Sequence, residues 1–226
     1  MTMTAPEEAF SGEQEAILNA TERIRVVRAA PGSGKTRVFV EELRRRIAVW
    51  SSRTAGVAAL SFTNVAQELI AERMGGRPAV PHFIGTLDSF LWRFVVRPFS
   101  RVAGVAPGGA RLVAAPLHRT LDEPNVKIGP GDGDRASIFA LTFHGGSEKA
   151  PSVYHETDYQ GFQRIPVEFV AQAVRAKEEE WRDRGRITHS DCHFLAARIL
   201  RGPHGAGVAA RLAARFPTIL IDEFQD

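Results

Sequence analysis

At 226 residues, 44% of them hydrophobic, the chain can bury the core of one large domain or of a domain with a sizeable insertion. A net charge of +3 permits nucleic-acid contact without demanding it, and arginine, which greatly outnumbers lysine, suits phosphate. A single cysteine, Cys192, excludes an internal disulfide framework and a cysteine-based zinc site, and no apolar run approaches membrane length; a cytoplasmic, soluble protein is expected.

Residues 1–10 read as a loose tail. Ser11 to Ala20 is predicted as a short helix, with Ser11 and Gln14 at capping-box spacing. Ile24 to Arg28 is predicted as a strand. It leads into Ala29-Ala30-Pro31-Gly32-Ser33-Gly34-Lys35-Thr36, and a helix is predicted over Arg37 to Trp50. Strand, glycine loop and helix in that order make a P-loop. Gly32 and Gly34 let the backbone curl so that its N–H groups face a phosphate chain. Lys35 would reach the β- and γ-phosphates and the Thr36 hydroxyl would sit on Mg²⁺. Ala29 stands where the strict pattern has its first glycine.

Val57 to Phe62 is a nearly continuous apolar run, expected of a strand covered on both faces. A helix from Thr63-Asn64 through Met74 should follow, ended by Gly75-Gly76. His82 to Ile84 is a third strand, and a helix from Thr86 to Val96 should stop before Pro98. Alternating strands and helices indicate a parallel sheet of α/β type. From Phe99 to Arg164 glycine and proline are frequent and helical periodicity is absent, so an inserted subdomain is expected. Within it Ile138 to Phe143 is β-like and Gly145-Gly146 a turn. Helices are predicted over Val167 to Arg184, from a Ser190 cap through Leu200, and over Gly207 to Arg215. Cys192 falls in the second of these, as a partly buried thiol or a nucleophile. Thr218 to Ile221 is a strand ending in Asp222-Glu223. In a P-loop protein that is the Walker B arrangement. Asp222 would hold Mg²⁺ through its water shell, and Glu223 would orient and deprotonate the attacking water.

Asp222-Glu-Phe-Gln-Asp226 resembles motif II of superfamily 1 DNA helicases of the UvrD/Rep/PcrA type. Phe10-Ser-Gly-Glu-Gln14 looks like that family's Q motif, and Ala29 to Thr36 is similar to its Ala-x-x-Gly-x-Gly-Lys-Thr. Leu60-Ser-Phe-Thr-Asn64 followed by Ala66 looks like motif Ia. Gly85-Thr-Leu-Asp-Ser-Phe90 resembles motif Ib, with Leu87 and Asp88 as departures. Gly185 to Asp191 is similar to the stretch before motif II.

The resemblance implies the first RecA-like domain of an ATP-dependent helicase or translocase on single-stranded DNA or a single-strand/duplex junction. The 3′-to-5′ direction and a role in DNA repair or recombination come with it. It implies a RecA-like domain over residues 11–98 and 165–226, with 99–164 as the insertion. Motif III and the second RecA-like domain would lie beyond Asp226, which makes the fold one truncated after Walker B. Gln14 is assigned to the adenine edge, capping being its local alternative, and Arg37 to the nucleotide. Phe62 would stack on a base, or serve as a buried strand-end aromatic. Thr63, Asn64, Thr86 and Ser89 would bind phosphate or sugar, or cap helices. A non-catalytic nucleotide and DNA binder, a fragment without activity of its own, and part of a helicase–nuclease subunit are the rival readings. The strands at 24–28 and 218–221 are expected not to pair with each other, leaving exposed edges and a marginal fold.

Overall fold

The computed structural model describes residues 9–113, 124–144, 152–157 and 161–223. The chain divides into two compact units, residues 1–86 with 213–226, and residues 87–212.

In the first unit, three parallel strands lie in the order Thr218–Ile221, Val57–Ser61, Phe83–Thr86. All five residues of the central strand are buried, which is why its sequence is almost continuously apolar. The register pairs Leu60 with Ile221 and Ser61 with Thr86, so the three strands finish together at one edge. Helices Lys35–Ala48 and Asn64–Arg73 supply Val40, Leu43 and Ile70 to a core shared with Val57, Ala59 and Ile84. Each helix buries one stripe because its apolar residues recur at helical spacing.

Residues 24–28, expected to be a strand, form no ladder. Ile24 and Val26 are 82% and 71% exposed. β-type side chains make a strand only against a neighbour, and none among the described residues offers them one. Arg25 holds the segment instead: its guanidinium donates to the Ile17 carbonyl at 2.6 Å and pairs with Glu42. Thr218–Ile221 is an edge strand with Ile219 and Ile221 exposed.

In the second unit, residues 87–103 run as consecutive helical turns. The helix does not stop before Pro98 as expected. Leu91–Val96 is a π-helix, and the Arg97 N–H reaches back to the Trp92 carbonyl, five residues away. Proline breaks an α ladder by lacking an N–H, but here the ladder has already widened when Pro98 enters. Asn125–Lys127 pairs antiparallel with Arg135–Ser137, and Leu141–His144, Ser152–Thr157 and Gly161–Arg164 form an antiparallel meander. The β-like run at 138–143 is split. Ile138–Ala140 is a 3₁₀ turn, closed by the Phe139 N–H donating to the Ser137 hydroxyl at 3.2 Å. The expected Gly145-Gly146 turn lies outside the described residues.

Val167–Arg184 is a helix closed by Gly185. The next helix, His189–Arg201, starts on Thr188 and not on Ser190, because Asp191 accepts the Thr188 N–H at 2.8 Å. Cys192 is fully buried, and burial pushes its thiol up to about 12, so it is a packed side chain and not a nucleophile at neutral pH. No helix among the described residues is long and apolar enough to cross a membrane.

Candidate nucleotide-binding site

The glycine loop takes its shape from two left-handed residues, Gly32 at φ +78° and Gly34 at φ +83°. A side chain is strained there. At Gly34 a methyl group would also lie 2.9 Å from Gln14 Nε2, so that amide would have to move. Gly34 is the N-cap of helix Lys35–Ala48 and makes no side-chain cap, so the N–H donors of the first turn keep no partner from it. A helix start and the positive end of its dipole suit an anion.

Lys35 Nζ donates to the carbonyls of Ala29 and Ala30 at 3.0 and 3.1 Å, which folds the ammonium over the loop. Gln14 serves two neighbours. Its Oε1 accepts the Ser11 N–H at 3.0 Å, completing the capping box, and its Nε2 donates to the Ser33 carbonyl at 3.0 Å. The sequence leaves capping and an adenine contact as alternatives for Gln14; the geometry adds the loop itself as a partner. The Arg37 guanidinium lies 4.3 Å from the centroid of the Phe10 ring, a cation–π stack. Phe10, Gly34, Arg37, Glu41 and Arg73 line a cleft of about 580 Å³. Sequence reasoning missed Phe10 as a cleft residue. Its one signal is an aromatic side chain four positions before Gln14.

Asp222 follows the edge strand, and its N–H donates to the Leu60 carbonyl at 2.9 Å, extending the ladder. Burial pushes its carboxyl above the ordinary carboxylate value, while a backbone hydrogen bond from Glu223 and the charge of Lys35 pull the other way. Glu223 is exposed, with φ +58°. A residue with a Cβ pays roughly 1–2 kcal/mol for that conformation.

The donor set fits magnesium nucleotide. Mg²⁺ keeps several waters and takes one or two protein oxygens together with phosphate. Thr36, on the first turn of the loop helix, and the half-buried Asp222 carboxylate could offer such oxygens. Among the described residues no cluster of three or more histidine, cysteine or carboxylate groups could bind a metal by itself.

Phe62, Thr63, Asn64 and Thr86 share the carboxyl edge of the sheet with Asp222, since Ser61 pairs with Thr86 and Leu60 with Ile221. In α/β sheets ligands gather at that edge. Phe62 is half-buried. The Thr63 hydroxyl accepts the Ala66 N–H at 3.1 Å and so caps its helix, and Asn64 Oδ1 accepts from Gln67 Nε2 at 3.3 Å. Ser89 belongs to the second unit, in the short helix Leu87–Phe90.

The class is thus a mixed α/β protein with a parallel sheet and flanking helices, compatible with a RecA-like fold. Residues 10–226 match the UvrD/REP helicase N-terminal domain, and the chain belongs to that family. No curated protein matches it. The family implies nucleotide binding with a metal ion, and DNA binding.

Proposed function

We propose that the chain is the ATP-binding part of an ATP-dependent DNA helicase or translocase moving 3′-to-5′ on single-stranded DNA, in repair or recombination in the cytoplasm. The observation that carries this is the glycine loop, shaped by left-handed Gly32 and Gly34 with Lys35 folded over it, in a chain of the UvrD/REP family. Lys35 and the loop N–H groups hold the β- and γ-phosphates, with Ala29, Ala30, Pro31, Gly32, Ser33 and Gly34 as the cradle. Thr36 and Asp222 hold magnesium, which neutralises charge on the phosphates. Glu223 takes the proton of the attacking water. Arg37 flanks the nucleotide, and Gln14 faces the adenine while bracing the loop. Phe62 stacks on a base, and Thr63, Asn64, Thr86 and Ser89 contact the strand's backbone.

We assign residues 11–98 and 165–226 to the RecA-like domain and 99–164 to an insertion. The deciding experiment is ATP hydrolysis by the chain with and without single-stranded DNA, beside nucleotide titration. The expected pattern is nucleotide binding that Glu223→Gln preserves and little turnover by the chain alone, with DNA-stimulated turnover, abolished by Glu223→Gln, once a second RecA-like domain is supplied. Turnover within a few-fold of wild type in Glu223→Gln would remove Glu223 as the base.

A further inference from the structure

In the second unit, the strand Arg111–Leu112 lies parallel to Arg186–Ile187, and the register sets Arg111 directly beside Arg186. Like charges in that relation destabilise a sheet pair. Arg186 has a local partner in the buried carboxylate of Glu180, which also takes Arg184 at 2.8 Å. Arg111 has none: among the described residues no carboxylate pairs with it, and its guanidinium donates only to the Arg184 carbonyl, at 3.2 Å. Arg101 likewise has no acidic partner among the described residues and donates to the Pro107 carbonyl at 2.7 Å. Both are exposed.

A cleft of about 600 Å³ is lined by residues 106–109 and by Arg111, Asp183, Arg184 and Arg186, and Arg101 reaches its edge through the Pro107 carbonyl. Its loop is fixed by backbone bonds, Ala106 N–H to the Trp181 carbonyl at 2.8 Å and Arg111 N–H to the Gly185 carbonyl at 2.7 Å. Gly185, at φ +67°, comes so close to the loop that a methyl group there would lie 2.4 Å from the Gly109 carbonyl. Gly108 and Gly109 have open space where side chains would stand. The result is a backbone-anchored floor, bare of side chains at Gly108 and Gly109, with a rim in which the one carboxylate of Asp183 is outnumbered by the guanidinium groups of Arg111, Arg184 and Arg186.

We propose that this cleft binds the phosphodiester backbone of a nucleic-acid strand, with Arg101 and Arg111 as its phosphate contacts. Guanidinium forks match phosphate oxygens in pairs, and backbone contacts of this kind position a strand without reading its sequence. An anion between Arg111 and Arg186 also relieves their repulsion. The cleft belongs to the second unit and the strand-edge residues Phe62 to Asn64 to the first. The inference rests on the reading of the chain as a DNA binder.

The test is fluorescence anisotropy of a fluorescein-labelled oligo-dT titrated with the chain from 50 to 200 mM salt. Wild type is compared with Arg101→Ala/Arg111→Ala, Arg111→Glu, Arg111→Lys and Phe62→Ala, and folding is checked by the thermal transition. The double variant should bind about tenfold more weakly, with a salt slope shallower by about 0.7 for each phosphate no longer neutralised. Arg111→Glu should be weaker still than Arg111→Lys. Affinity and slope unchanged in the arginine variants, with binding reduced in Phe62→Ala, would overturn the cleft and leave the DNA reading standing. No binding by wild type would overturn both. A second measurement needs no variant: phenylglyoxal labelling read by peptide mass spectrometry. Arg101 and Arg111 should be protected by oligo-dT, and equal labelling with and without it would refute the contact.

Discussion

Lys177 Nζ lies 2.7 and 2.9 Å from the two carboxylate oxygens of Asp191, and both side chains are 1% exposed. Asp191 also accepts from Trp181 Nε1 at 3.3 Å and from the Thr188 N–H, so one carboxylate joins helix Val167–Arg184 to the start of helix His189–Arg201. Burial pulls the Lys177 ammonium below its ordinary value, and the Asp191 carboxylate resists that shift.

Removing one partner strands the other charge in the core, which typically costs about 3–5 kcal/mol. Lys177→Met or Asp191→Leu should each lose about that much in urea denaturation. The double substitution should lose less than the sum of the two. Single variants within about 0.5 kcal/mol of wild type, the range of an ordinary surface change, would show that the pair is not buried in solution.

Asp88 and His193 form a second, half-exposed pair. The hydrogen bond to Asp88 raises the His193 pKa above its ordinary 6.5, against burial. The same bond lowers that of Asp88 below 3.8, helped by the charges of His193 and His189. The histidine's contribution is therefore fully present below about pH 6.5 and lost as pH rises through its raised value. The aspartate's is present above its ordinary value and lost as pH falls through the lowered one. Between about pH 6 and 9 wild type should lose up to ~1 kcal/mol relative to His193→Gln, since exposed pairs are worth no more. Parallel stability curves for the two proteins over that range would contradict this.

Lys35→Ala removes the ammonium from the glycine loop. A hydrogen bond to a charged group is worth roughly 1.5–3 kcal/mol, so ATP affinity by calorimetric titration should fall about tenfold or more. Unchanged affinity would remove the loop as a phosphate site.

Ile219 and Ile221 are 44% and 37% exposed on a strand at the edge of its sheet. Exposed apolar edges recruit other strands. Light scattering should show concentration-dependent association, and Ile219→Lys/Ile221→Lys should reduce it. A wild-type chain that stays monomeric at all concentrations would argue that the edge is harmless.

Local chemistry was readable directly from residues. The buried strand Val57–Ser61 is apolar throughout, helix Val167–Arg184 ends at a glycine, and the Gly32–Gly34 turn announces itself by composition. Helical periodicity, capping and left-handed backbone depend on neighbours a few positions away. The strand expected at 24–28 failed because pairing needs a partner that β-type residues cannot specify alone. The helix through Pro98 depended on a π turn, which no local pattern announces. The double engagement of Gln14, the burial of Lys177 on Asp191, and Arg111 set beside Arg186 each join residues distant in sequence. Only the tertiary structure decides such pairs, because charge, burial and strand register are properties of what lies across the fold.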